Sequence, residues 1–237
     1  MSVIRKAGII TALILVNPAY AAEGNSQWKG EAELGIVSTS GNTETSTINL
    51  NTKLENIREQ WKHLILFNTL QSSSENISTA ERYVLIGKSD YKIDAVSYAF
   101  GRVSYEDDRF SGFEYQASET IGYGRNIIQG PALKLDVEGG PGMRQSKTEN
   151  ASSENEGIVY LSGNLKWDIS DTSVFTEDLF TEIGEDITIT KSVTGLKSQI
   201  NGDLAMRVTF TAKHTSKVPA PKKKLDTETA VSLVYSF

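Results

Sequence analysis

The chain closes on Thr229-Ala230-Val231-Ser232-Leu233-Val234-Tyr235-Ser236-Phe237. Val231, Leu233, Tyr235 and Phe237 share one parity, and Ala230, Ser232, Val234 and Ser236 share the other. Successive side chains of a strand point to opposite faces, so this stretch reads as a β-strand carried to the final residue. Chain ends ordinarily fray. A strand that runs to the last atom is expected to be held in a sheet.

The same alternation recurs upstream. WKGEAELGIVS sets Trp28, Ala32, Leu34 and Ile36 against Lys29, Glu31 and Glu33, and DLAMRVTFTAKHT sets Leu204, Met206, Val208 and Phe210 against Arg207, Thr209, Thr211 and Lys213. About twelve such segments are found and no convincing helix. WKHLILFNTLQ is a longer apolar run with poor alternation, and Glu119 and Glu177 break the parity of their strands, which predicts a shift or bulge there. Connections alternate between longer polar ones (SSSENIS, QSKTENASSENE, SKVPAPKKKLD) and tight ones (NIREQ, KID, ISDT, QING).

The chain of 237 residues is long enough for a single large β domain. It has no cysteine, which excludes disulfides, thiolate metal sites and a thiol nucleophile. Arg5 and Lys6, the ten apolar residues 7–16, and Ala19-Tyr20-Ala21 read as the three parts of a secretory signal, giving a signal peptide over 1–21 and a mature domain over 22–237. Removing it lowers Lys+Arg from 24 to 22 against 30 Asp+Glu, a net charge of −8. That balance argues against nucleic acid as a partner.

Two architectures remain, a sandwich and a barrel. Mid-strand charges such as Glu33, Lys53, Asp136 and Arg207 do not suit a sandwich core, but they suit the polar bore of a transmembrane barrel. Lipid cannot satisfy an open sheet edge, so the sheet must close. Trp28, Trp61, Tyr83, Tyr91, Tyr105 and Tyr235 lie near strand ends, where interfacial girdles form. The expected fold is therefore all-β: a closed antiparallel transmembrane β-barrel of about twelve strands, with short periplasmic turns and longer extracellular loops. Phe237 should complete the cylinder by pairing near Trp28.

Parity assigns Glu31, Glu33, Lys53, Arg82, Lys88, Asp90, Arg102, Lys134, Asp136, Glu138, Lys166 and Arg207 to the lumen. Both signs are present, which leaves open a pore with charged rings and a bore closed by ion pairs. Lys222, Lys223 and Lys224 on the last outer loop either meet lipopolysaccharide phosphates or belong to a solvated loop. Glu106, Asp107, Asp108 and Arg109 read first as a solvated acidic loop and second as oxygen ligands for a divalent cation. Gly139–Met143 (GGPGM) suggests a bend or bulge. The two histidines, His63 and His214, fall near opposite rims, so a shared metal site is excluded and a catalytic reading is disfavoured. No cofactor and no catalytic residue is assigned.

WKGEAELGIVSTSGNTETSTINLN, TAERYVLIGKSDY, FGRVSYEDDRFSGFEYQ, GYGRN, LDVEGGPGMR and LVYSF together resemble the YdiY-type family, described as salt-induced outer-membrane proteins with a domain of unknown function. The resemblance runs from about Trp28 to Phe237. It implies an outer-membrane barrel and a link to osmotic or salt stress, and it implies no established activity. The terminal Val231, Leu233, Tyr235 and Phe237 also resemble the assembly signal of bacterial outer-membrane barrels, which implies recognition by the insertion machinery. The reading is of a non-enzymatic barrel in contact with outer-membrane lipid. It is either a narrow channel for small solutes or ions or a closed-lumen envelope protein, with a lipid-active enzyme as the least favoured alternative.

Overall fold

The computed structural model describes residues 27–40, 45–74, 77–148 and 152–237. The expected signal peptide over 1–21 and most of the Ser40–Thr43 turn lie outside them. Twelve strands follow one another: β1 (Gln27–Ser40), β2 (Thr45–Ile57), β3 (Trp61–Ser74), β4 (Ile77–Lys92), β5 (Ser97–Asp108), β6 (Phe113–Gln129), β7 (Leu133–Thr148), β8 (Ser153–Asp168), β9 (Ser173–Gly184), β10 (Thr188–Asn201), β11 (Leu204–Thr215) and β12 (Leu225–Ser236). Each pairs antiparallel with its chain neighbours, and β12 pairs with β1, so the sheet closes. At the seam Ala32 faces Tyr235 and Leu34 faces Leu233. Phe237 extends it, exchanging two backbone hydrogen bonds with Gly30, of 2.7 and 2.9 Å. The ring of Phe237 lies where a Gly30 side chain would start, so any larger residue there would have to push the ring aside.

Burial is inverted relative to a soluble core. On β12, Val234 is 0% exposed and its neighbour Leu233 is 52% exposed. The outward rows carry the large apolar side chains, among them Leu85, Val103, Ile121, Val159, Leu179, Phe210 and Val231. Aromatic residues bound this belt. Trp61 and Tyr91 meet edge to face at 5.0 Å, and Tyr235 stacks on Phe237 at 6.0 Å, near the turn end. Tyr105 stacks on Tyr115 at 5.9 Å toward the other end. Between the girdles, three outward positions separate Tyr91 from Tyr83 and likewise Tyr123 from Tyr115, about 26 Å measured along strands that tilt in such barrels.

Three expectations need correction. The loop–turn asymmetry lies mostly in the strands. β4, β6, β7 and β8 run 16 or 17 residues, well past the 9–11 that span a bilayer, and they absorb residues read as loop. Of the outer connections only 216–224 remains long. Gly139–Met143 is not a bulge, since β7 keeps register with β8 throughout. These glycines instead allow β6 and β7 to approach: a Cβ on Gly140 would overlap the carbonyl oxygen of Ile121, and one on Gly142 that of Glu119. Finally, Glu119 and Glu177 mark no shift. Glu119 pairs Val103 and Met143, and Glu177 pairs Leu165 and Thr194, all in continuous register. The bulges of β6 lie elsewhere, between Phe113 and Tyr115 and between Asn126 and Ile128. Both carboxylates therefore stand on the outside.

The β4–β5 turn, 93–96, is built on Asp94, whose carboxylate accepts from the backbone N–H of Val96 and Ser97, each at 2.8 Å. Those bonds hold its carboxyl below the ordinary value of 3.8. A depressed folded pKa gives stability that is present above the unfolded value and lost as pH falls through the folded one. The urea midpoint of the wild type should therefore exceed that of Asp94→Asn at pH 7, and the gap should narrow as pH drops below about 4. Gly140→Ala should cost about 1–3 kcal/mol by overpacking, read as a lower urea midpoint and less of the fast-migrating folded band in unheated gels.

Candidate functional site

The inward rows build a lumen with two facing charged walls. On the β4–β9 wall, Glu138 binds the Lys88 ammonium and accepts from Tyr98 Oη at 2.8 Å and Ser162 Oγ at 3.3 Å. Lys88 also pairs with Asp90 at 2.9 Å and sits over the rings of Tyr98 and Phe100. One level outward, Arg102 lies 3.4 Å from Glu182, with the rings of Tyr160 and Phe180 at 5.2 and 5.5 Å. Glu182 also holds Arg144 at 3.3 Å, and Arg144 binds Glu156 at 2.5 Å and the carbonyl of Ile187. Arg144 is 1% exposed, so this charge has left water entirely and depends on its partners.

The opposite wall uses β1, β10 and β11. Glu31 bridges Lys197 at 2.6 Å and Arg207 at 2.9 Å, and Arg207 also pairs with Glu33. Lys53 meets Glu55 at 3.2 Å near the turn end. At the outer end, Arg82 binds Glu228 at 2.6 Å and Lys213 binds Glu106 at 2.7 Å, both across strands far apart in sequence. Between this level and the outer connections lies a cavity of about 60 Å³ lined by Arg82, Glu106, Lys191, Lys213 and Glu228, with Phe110 and Val218 above them.

The outer mouth is covered. The 216–224 connection leaves β11 and crosses to the β5–β6 connection, half the circumference away. Lys222 Nζ donates to the Phe110 carbonyl at 2.5 Å, and Val218 packs on Phe113, Ile187 and Ile189. Gly112, at φ 87°, faces Pro219 and Lys222 in the left-handed conformation that glycine favours. Lys222 is thus engaged by the barrel itself. Lys223 and Lys224 are exposed on the same loop.

Parity places the sequence candidates as follows. Glu31, Glu33, Lys53, Arg82, Lys88, Asp90, Arg102, Asp136, Glu138 and Arg207 face inward. Lys134 and Lys166, paired across β7 and β8, share that parity but are exposed at the turn-end rim. Val231, Leu233, Tyr235 and Phe237 line the outside of the seam strand. The acidic run is split: Glu106 pairs inward with Lys213, Asp108 Oδ1 accepts from the backbone of Phe110, and Arg109 bonds Glu81 at 2.7 Å. Among the described residues no group of three His, Cys, Asp or Glu converges as metal ligands do.

Sequence reasoning missed Arg144, Glu156, Glu182, Lys191 and Lys197, and placed Lys213 on the polar face of its strand without naming it a lumen candidate. Arg144 shares the parity of Asp136 and Glu138 but lies past Met143, where the residues that follow read as an outer loop, whereas β7 runs to Thr148. The lumen also holds apolar side chains that were not anticipated. Leu70, Val84 and Phe100 are buried inward, as is Val234. The poor alternation of WKHLILF reflects β3 being apolar on both faces.

Both histidines point outward. His63 Nδ1 lies 2.9 Å from Ser89 Oγ, a contact not foreseen. Asn56, across from His63, spends its carbonyl oxygen on Arg58 Nε at 3.1 Å, so the three-membered relay that activates a serine is not closed. Glu177 accepts from Ser192 and Thr194 hydroxyls at 2.6 and 2.5 Å.

A closed antiparallel barrel, apolar outside and charged inside, defines the outer-membrane β-barrel class of fold. Solved structures share it. The NanC porin superposes with a TM-score of 0.58 at 9% identity, covering 86% of this chain and 98% of that one. The KdgM porin in complex with disordered oligogalacturonate gives 0.51 at 12% identity, covering 87% and 99%. The translocator domain of the autotransporter NalP from Neisseria meningitidis gives 0.51 at 11%, covering 91% and 90%. The chain belongs to the family described as "Protein of unknown function, DUF481", whose pattern matches residues 32–237. It is 28% identical over 217 residues to the "Uncharacterized protein YdiY" of Escherichia coli (strain K12), covering 91% of this chain and 86% of that one.

Replacing Arg144 by Met should destabilise the folded barrel by about 3–5 kcal/mol, because it removes the cation shared by Glu156 and Glu182 and leaves Glu182 with Arg102 alone. The double variant Arg144→Met/Glu182→Leu should recover none of that loss, because it strips the buried Arg102 of its carboxylate as well. Urea titration in detergent micelles, followed by tryptophan fluorescence, reads both.

Proposed function

We propose that this protein is a bacterial outer-membrane β-barrel that works as a narrow channel for small solutes or ions, without enzymatic turnover. The observation that carries the reading is the inward charged lining crossed at its outer mouth by the 216–224 connection. An apolar belt between aromatic girdles supports placement in a bilayer, and the fold likeness to the NanC and KdgM porins supports a conduit. Lys223 and Lys224 stand exposed at the outer surface, where lipopolysaccharide phosphates would lie, while Lys222 is held by the Phe110 carbonyl.

A role in salt or osmotic stress rests on the family resemblance alone. The Arg82–Glu228 and Lys213–Glu106 pairs, with side chains 14–25% accessible, are too close and too buried for ionic strength to screen strongly.

A closed-lumen envelope protein is the second reading, favoured by the complete burial of Arg144. Planar-bilayer conductance separates the two. The channel reading expects small unitary steps from refolded protein, and at least a two-fold larger step when 217–223 is shortened to a Gly-Ser link. A folded protein that stays silent in both forms would eliminate it.

A further inference from the structure

The outer wall carries a groove of about 960 Å³ that serves neither the lumen nor the girdles. It follows one row of directly paired outward residues. Trp28 faces Asn56, Asn56 faces His63, His63 faces Ser89, Ser89 faces Gly101 and Gly101 faces Ile121. The row crosses the belt obliquely from the turn-end rim toward mid-height. Its floor is small: a side chain added at Gly101 would meet nothing within 4 Å. Its walls are mostly apolar, with Ile65, Val103, Ile121 and Met143 beside it.

The two ends differ in chemistry. At the rim end lies Arg58, exposed, with Nε spent on Asn56 and no carboxylate partner among the described residues. Asn56 is 1% exposed, and its amide nitrogen has no hydrogen-bond acceptor. A cation beside an unsatisfied donor calls for an anionic oxygen ligand. At the far end stands Glu119, exposed and without a partner among the described residues, which bounds the apolar part of the groove. Four strand spacings separate β2 from β6, about 19 Å along the row. That is the reach of one extended fatty acyl chain.

We propose that this groove binds one glycerophospholipid of the periplasmic leaflet, its phosphate on Arg58 and the Asn56 amide, and one acyl chain laid over Ser89 and Gly101. The charge complementarity at one end and the apolar, glycine-floored run behind it fit this amphiphile. A second copy of the chain would leave the Asn56 donor facing another apolar belt. The proposal rests on the bilayer placement above and is independent of whether the lumen conducts.

The test uses the full folded barrel, reconstituted in vesicles of equal phosphatidylglycerol and phosphatidylethanolamine, extracted in mild detergent and weighed by native mass spectrometry. Wild type should retain one phospholipid. Arg58→Gln should retain at least five-fold less, and so should Gly101→Leu, which fills the floor. Arg125→Gln, an exposed cation outside the groove, should retain as much as wild type. Heat-modifiable gel migration confirms that each variant is folded, and Ser89→Leu replaces Gly101→Leu if the latter is not. The site is overturned if folded wild type carries no phospholipid, if either groove variant keeps it, or if Arg125→Gln loses it equally. Protein that never enters the vesicles would instead overturn the membrane reading, so the two failures are told apart.

Discussion

Closure of the backbone hydrogen-bond ladder governs the rest of this molecule. A sheet whose outside is apolar cannot leave a row of N–H and C=O groups unpaired, and the β1–β12 seam removes the last such edge. The Phe237–Gly30 bonds carry pairing to the final residue, with the aromatic ring seated over the bare glycine backbone. Once the cylinder is closed, each strand has only two environments. One parity meets whatever surrounds the barrel and the other meets its own kind across the bore.

That confinement explains the chemistry inside. Charges placed on inward rows cannot reach bulk water by swinging outward, so they neutralise one another. The pairings run mostly between strands distant in sequence: Lys197 and Arg207 with Glu31, Arg82 with Glu228, Lys213 with Glu106. Lys213–Glu106, from β11 to β5, reaches half way round the wall and Arg82–Glu228, from β4 to β12, a third of it, so these two links brace the bore at its outer end. Their net value to stability is small, because desolvation offsets most of the attraction. Breaking one partner is costly all the same, since the other is left charged and dry.

Period-two alternation made most of the architecture legible. It located twelve strands and gave the correct side to Glu31, Glu33, Lys53, Arg102 and Arg207. It failed where two signals competed. Glycine and proline at 139–143 looked like an interruption, yet they serve a close approach between β6 and β7, which no local pattern announces. Glu119 and Glu177 looked like errors of register because a carboxylate on an apolar surface contradicts the rule that found the strands. Glu177 is explained by two hydroxyls from β10, a strand that meets it only after folding. The lumen's leucines and valines on β3 and β4 were hidden for the opposite reason, since a strand apolar on both faces has no alternation to read. The path of 216–224 across the mouth depends on Val218 finding Phe113 and Ile187, contacts spanning much of the chain.

The same hairpin, β11 to β12, supplies both the seam strand and the lid-like crossing. Lys222 and Val218 seat against the rim formed by β5, β6, β9 and β10, while β12 pairs with β1. Sealing the wall and covering its mouth therefore fall to one hairpin. A pull on the crossing from outside would run down β12 to the Phe237–Gly30 bonds, a latch with its handle at one rim and its bolt at the other.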